Sequence, residues 1–172
     1  MSRTHDVVIR AGRDDDGDCF IALIGACWSE YPSIILDIDG EAPELRALAS
    51  HFADNGGALW AAESSGQIVG MIATYPEDGR TWAISRMYLL RKWRGCGLAD
   101  RLLESAEAHA LVRGAERLAL WSDTRFERAH RFYERHGYRR IGPTRALNDR
   151  SNSVEFRYEK PVRSRSDLHD FG

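Results

Sequence analysis

Within a few positions the chain switches from strand-like to helical patterning, and one short run makes the switch. Residues 81–90 carry strand signals, whereas Leu98, Ala99, Leu102, Leu103, Ala106, Ala110 and Leu111 recur at helical spacing. Between them lies Arg94–Gly95–Cys96–Gly97–Leu98–Ala99. Two glycines permit a tight turn and let bare backbone N–H groups approach a ligand. The N–H groups at a helix start have no partner within the helix, and the helix dipole adds positive potential there. The run therefore reads as a socket for an anion, most naturally a phosphate or pyrophosphate, with Arg91, Lys92 and Arg94 around it and Arg101 one turn further on. The plainer reading is a tight strand-to-helix turn. A dinucleotide fingerprint is excluded because Asp100 stands where its third glycine belongs, and a P-loop because Gly-Lys-Ser/Thr is absent.

The rest of the chain places this turn in a mixed sheet. Val7, Val8 and Ile9 begin a strand, and the acidic residues 14–18 suit a helix start. Phe20, Leu23, Ile24, Cys27 and Trp28 follow at helical spacing, and Cys19 and Cys27 read as small core side chains. Residues 31–39 read as irregular and 41–55 as a second helix with Pro43 in its first turn. Residues 58–63 and 67–75 form a hairpin around Ser65–Gly66. After the long helix, 118–121 reads as a short buried strand. Thr124–Arg125–Phe126–Glu127 reads as a capping box opening a helix to about His136. Strands at 138–147 and 153–160 follow, then a polar tail at 161–172. The order β, α, α, β, β, β, α, β, α, β, β describes one α/β (α+β) domain over 1–160, with a mixed, mostly antiparallel sheet of seven strands and four flanking helices.

Composition narrows the class. The chain has 172 residues, 43% hydrophobic and 29% charged, as expected of a soluble domain. It shows no membrane-length apolar run and no secretory leader. Three scattered cysteines give neither a disulfide framework nor a zinc spacing. His109, His130 and His136 make no metal-ligand pattern, so no metal is expected, and a cytoplasmic setting fits best. The net charge of −2 hides a division: residues 1–85 sum to −9 and residues 86–172 to +7. Such a split can mark an anion site in one half; the plainer reading is that composition drifts and both faces are solvated. The basic half could touch a phosphate backbone, but no aromatic-plus-basic RNA motif is obvious, so nucleic acid is not expected as a partner.

The strand followed by Arg94-x-x-Gly97-x-Ala99 and a long amphipathic helix resembles the acetyl-coenzyme A motif of the GNAT superfamily of N-acetyltransferases. A second match lies downstream, where Ala129, Tyr133, Gly137 and Tyr138 resemble the family's late helix and the turn after it. The resemblance covers about residues 5–160. It implies a parallel strand pair that splays apart, here the strands ending near Leu90 and Trp121, with acetyl-CoA wedged between them as co-substrate. It further implies that backbone groups of Met87, Tyr88 and Leu89 pair with pantetheine, and that N–H groups from Arg94, Gly95, Cys96, Gly97, Leu98 and Ala99 hold the pyrophosphate. Tyr133 is then the general acid that protonates the departing thiolate. The acceptor is a primary amine of a small molecule or peptide, and a homodimer is common in the family.

Two departures stand out. The family often carries Glu early in the central strand, where this chain has Ala83, and Asn early in the late helix, where it has Phe126. A general base would then come from elsewhere, and Glu30, Asp37, Asp39 and Glu63 are the candidates. Loss of that Glu also keeps open a non-catalytic reading, in which the same fold binds acyl-CoA as a sensor or complex subunit.

Overall fold

Alternation in the central hairpin sends Leu59 and Ala61 to one side of the sheet and Trp60 and Ala62 to the other, so both sides must be covered. The computed structural model describes residues 6–162, and beyond 162 the expected polar tail lies outside the described residues. Seven strands form one sheet: β1 (Val7–Ala11), β2 (Ala58–Ser64), β3 (Gln67–Pro76), β4 (Thr81–Leu89), β5 (Arg117–Asp123), β6 (Arg139–Ala146) and β7 (Val154–Pro161). Their spatial order is β1-β2-β3-β4-β5-β7-β6. The β4–β5 pair is parallel and every other neighbouring pair antiparallel. The β2–β3 turn has φ of +50° at Ser65 and +78° at Gly66, the left-handed pair that matches strand twist in a two-residue hairpin.

The described residues include five helices: α1 (Gly17–Trp28), α2 (Ile38–Glu41), α3 (Leu48–Asp54), α4 (Leu98–Val112) and α5 (Glu127–Arg135). One core joins α4 and α5 to the sheet through Leu98, Leu102, Leu103, Ile72, Leu118 and Tyr133. The other joins α1 and α3 through Phe20, Leu23, Ile24, Leu48, Phe52 and Met71. Together these two layers sandwich the middle of the sheet and leave β6 exposed along its whole length.

Three expectations needed correction. The single helix over 41–55 is broken: a 3-10 turn at Pro43–Ala47 separates α2 from α3, and Ala42 and Ala47 leave helical geometry, with φ of −143° and −141°. Pro43 accounts for the first break, because a residue preceding proline is pushed out of the α region. Helix α5 starts at Glu127 and has Phe126 as its N-cap, so Thr124 caps nothing. The Thr124 N–H is instead drawn to the carbonyl of Val154 at 2.9 Å, which extends the β5–β7 edge by one residue. Cys19 is exposed, one position off the apolar stripe of α1, whereas Cys27 is buried as expected. In the acidic cluster, Asp16 is buried and receives Arg10 through both carboxylate oxygens, at 2.8 and 2.9 Å.

Candidate active site

Strands β4 and β5 pair at three positions only, Thr81 with Arg117, Trp82 with Leu118 and Ala83 with Ala119. Beyond Ala83 they diverge, and the β5-facing backbone edge of β4 has no strand partner among the described residues. A bulge sharpens this edge. The β3 register steps from Ala73–Ser85 to Met71–Tyr88, and Arg86 sits at φ +52°. A left-handed non-glycine residue costs about 1–3 kcal/mol and persists only where its surroundings enforce it. Bulges re-aim the residues beside them, here Met87 and Tyr88.

Past β4, a 3-10 turn at Arg91–Trp93 leads into the glycine run. Gly95 has φ +73° and Gly97, the N-cap of α4, has φ +85°. A Cβ built on either would meet no atom within 4 Å, so the space beside this backbone is open. Among the described residues, no backbone acceptor is found for the N–H groups of residues 95–100. Donors without a backbone partner, beside open space at a helix N-terminus, have the chemistry that suits an anion.

The neighbouring cations are less free than the sequence suggested. Arg94 turns away from the glycines: Nη1 and Nη2 grip Glu30 of the segment after α1 at 2.9 and 2.7 Å, and Nε donates to the Leu89 carbonyl at 3.1 Å. Arg94 thereby holds the Glu30 carboxyl below its usual range. Arg101 donates to the Val7 carbonyl on β1. The Cys96 thiol donates to the Trp93 carbonyl at 2.8 Å, which fixes the turn.

Tyr133 projects from α5 toward the diverging strands. It is 7% exposed, packs edge-on against Tyr138 at 5.6 Å, and its hydroxyl has no partner among the described residues. Burial, with Tyr88 nearby, pushes its pKa well up, so the phenol stays protonated at neutral pH. The Trp28 indole N–H donates to the Tyr88 hydroxyl at 3.2 Å and anchors the opposite wall. His130, one turn before Tyr133, is buried, with Nε2 at 2.9 Å from the Asp123 carbonyl and 3.1 Å from Ser122 Oγ.

Two cavities meet at this point. The first, about 390 Å³, runs along Cys27, Leu89 and Glu30 to Gly95, Gly97 and Ala99. The second, about 580 Å³, opens on the other side. Trp28, Met87, Tyr88, Phe126, Ala129 and Tyr133 line both. The second carries Asp37, Glu41, Asp123, Asp149 and Glu155 against Arg86 and Arg145. Three of those five carboxylates come from the half of the chain with net positive charge, so the division between halves maps only partly onto the two cavities.

The structure brings together Met87, Tyr88, Leu89, the glycine run and Tyr133. It does not leave a free carboxylate among the four proposed bases. Glu30 is held by Arg94, Asp37 by Arg150 and the Gly40 N–H, Asp39 by Arg46, and Glu63 by Arg10. Of the four, Glu30 lines the first cavity and Asp37 the second. Sequence reading missed Asp123 and Arg125, a bidentate pair at 2.7 and 2.8 Å at the end of β5. Their signal was the Asp-x-Arg spacing, in which the carboxylate also accepts the Arg125 N–H at 2.9 Å.

A splayed parallel pair, a glycine turn rich in unpaired donors and a buried phenol between two cavities define an acyl-transfer fold. Residues 18–138 match the family model described as "Acetyltransferase (GNAT) family", and the chain belongs to that family. Among curated relatives, it is 33% identical over 99 residues to an uncharacterised N-acetyltransferase of Mycobacterium bovis, covering 58% of this chain and 63% of that one. It is 31% identical over 97 residues to N-acetylaspartate synthetase of Danio rerio, covering 56% of this chain and 34% of that one. The match thus spans less than two thirds of either relative. Among solved structures, an acetyltransferase from Streptococcus agalactiae aligns with TM-score 0.79 at 20% identity, over 91% of this chain and 99% of that one. The PaiA N-acetyltransferase of Thermoplasma acidophilum, solved in complex with coenzyme A, aligns with TM-score 0.71 at 17% identity, over 91% and 99%. At these identities the structures establish the shared fold.

Proposed function

We propose that the protein transfers an acetyl group from acetyl-CoA to a primary amine. The observation that carries this reading is the meeting of the two cavities at Tyr133, inside the splay of β4 and β5. The residues suit acetyl-CoA: the unpaired β4 edge offers backbone groups of Met87, Tyr88 and Leu89 to the pantetheine amides, as an added strand would. The N–H groups of Gly95, Cys96, Gly97, Leu98 and Ala99 suit a pyrophosphate, whereas that of Arg94 is taken by the Arg91 carbonyl at 3.2 Å. Bound there, acetyl-CoA supplies an activated acyl carbon and a thiolate leaving group.

The chain's own groups account for the rest. A β4 N–H near the bulge polarises the thioester carbonyl. The neutral amine in the second cavity forms the new C–N bond as the C–S bond breaks. Tyr133 gives its phenolic proton to the departing sulfur, the proton lost from nitrogen passes to solvent, and a proton taken up from solvent restores the phenol. A phenol with a raised pKa is a weak acid. The same dry surroundings also raise the proton affinity of the thiolate, which narrows the gap.

The test is release of coenzyme A thiol against a panel of amines, comparing wild type with Tyr133→Phe. We expect the variant to bind coenzyme A normally and to lose about 10²-fold in kcat, the low end for removal of a general acid. Binding of coenzyme A without turnover of any amine would instead favour the sensor reading.

A further inference from the structure

Two separate segments line the second cavity, residues 29–42 between α1 and α3 and residues 147–153 between β6 and β7. They are bonded to each other. Ser151 is 6% exposed, and its hydroxyl accepts from the Ile35 N–H at 2.8 Å and donates to the Ile35 carbonyl at 3.2 Å. The Arg150 N–H donates to Glu41 Oε1 at 2.6 Å, and its guanidinium reaches Asp37 at 3.2 Å. Arg125 ties in the end of β5: Nη1 donates to Ser33 Oγ at 3.0 Å and to the Ser151 carbonyl at 3.2 Å, while Nε and Nη2 hold Asp123. Surface pairs such as Arg150–Asp37 add little to such a junction. The Ser151 contact resists opening, because parting it takes a buried hydroxyl from both of its backbone partners, while the Asp123–Arg125 pair holds Arg125 in place to reach Ser33 and Ser151.

A polypeptide acceptor advances by roughly 3.3–3.6 Å per residue when extended, so every residue after the first must find a way out of the site. Here the gap between the two lining segments is closed by the clasp. A cavity of about 580 Å³ is within the range that holds small ligands. Resting on the acetyltransferase reading, we propose that the acceptor is a compact small-molecule amine entering end-on, and that the clasp of Ser151, Arg150 and Arg125 excludes polypeptide chains.

The test is calorimetric binding to the coenzyme-A-saturated protein of one amine series with a shared first residue: the amino-acid amide, then its di-, tetra- and octapeptide. The first residue is chosen by screening amino-acid amides. We expect Kd to rise at least tenfold from amide to octapeptide, and the double variant Ser151→Ala/Arg150→Ala to narrow that ratio to about threefold or less. Faster amide hydrogen exchange over residues 33–37 in the variant reports that the clasp has opened. An octapeptide that binds as tightly as the amide overturns the proposal. So does an unchanged ratio in a variant whose clasp has opened, or binding by no member of the series. If the series binds in the expected order and no member is acetylated, the acetyltransferase reading fails and the size limit stands.

Discussion

Glu30 and Arg94 show how one ion pair can join two functions. Arg94 begins the glycine run, yet its guanidinium faces Glu30, the Leu89 carbonyl and the Cys27 sulfur at 3.8 Å. The pair thereby ties the end of α1 to the end of β4, and both line the first cavity. The side chains are 22–23% exposed, so the pair is partly screened and contributes about 1 kcal/mol. The Glu30 carboxyl is held below its ordinary value of about 4.3, so its contribution is complete above that pH and is lost as pH falls through the lowered value. Urea denaturation should therefore show Glu30→Gln less stable than wild type by about 1 kcal/mol at pH 7, with the difference closing toward pH 3. A difference that persists undiminished at low pH would mean that the carboxylate charge is not its source.

At the scale of elements, Gly97 matters through its backbone. Its φ of +85° makes any Cβ costly although the space beside it is open. Gly97→Ala should lose about 1–2 kcal/mol of stability. Gly97→Asp should lose a similar amount and also place a carboxylate among donors suited to a phosphate. We expect calorimetry to show coenzyme A affinity reduced within about tenfold for alanine and more than about a hundredfold for aspartate. Equal affinities for the two variants would remove the anion site from this turn. The turn was readable because glycine spacing and the change of period coincide at one place. The break between α2 and α3 was less readable, since the apolar stripe of Leu45, Leu48 and Phe52 continues across it, and only Pro43 hinted at the interruption. The misread cap of α5 has a different cause. Thr124 has the right neighbours for a capping box, but its N–H is taken by β7, a partner thirty residues away in sequence that local pattern cannot reveal.

For the molecule as a whole, element order could be read from the chain because each strand and long helix carries its own period. The partners that occupy Glu30, Asp37, Asp39 and Glu63 could not, because ion pairing is decided by tertiary placement. Two histidines give the protein an acid response. His130 is buried behind Tyr133, and the His109 ring lies edge-on to Trp60 and Trp82 with its Nε2 unpartnered among the described residues. Desolvation lowers both pKa values, for His130 with help from Arg140 and against the Asp123 carbonyl and Glu134, and for His109 with help from Arg113. A histidine that titrates near 6.5 when unfolded and lower when folded contributes stability above 6.5 that is lost as pH falls through that window. The Tm should drop between pH 7.5 and 5.5, and His130→Gln, whose amide can still donate to the Asp123 carbonyl, should shrink that drop. An identical pH profile for variant and wild type would show that His130 is not held neutral.

The three rungs joining β4 to β5 also have a mechanical meaning. A sheet that is continuous at Thr81–Ala83 and parted beyond is a notched plate, and a notch concentrates deformation at its root. The root here is reinforced: the Arg80 carbonyl accepts from both the Glu116 and Arg117 N–H groups, at 2.8 and 3.1 Å. Any widening of the slot must pivot about this short knuckle, which makes the far ends, at Leu89 and Asp123, the places where a small rotation becomes the largest opening.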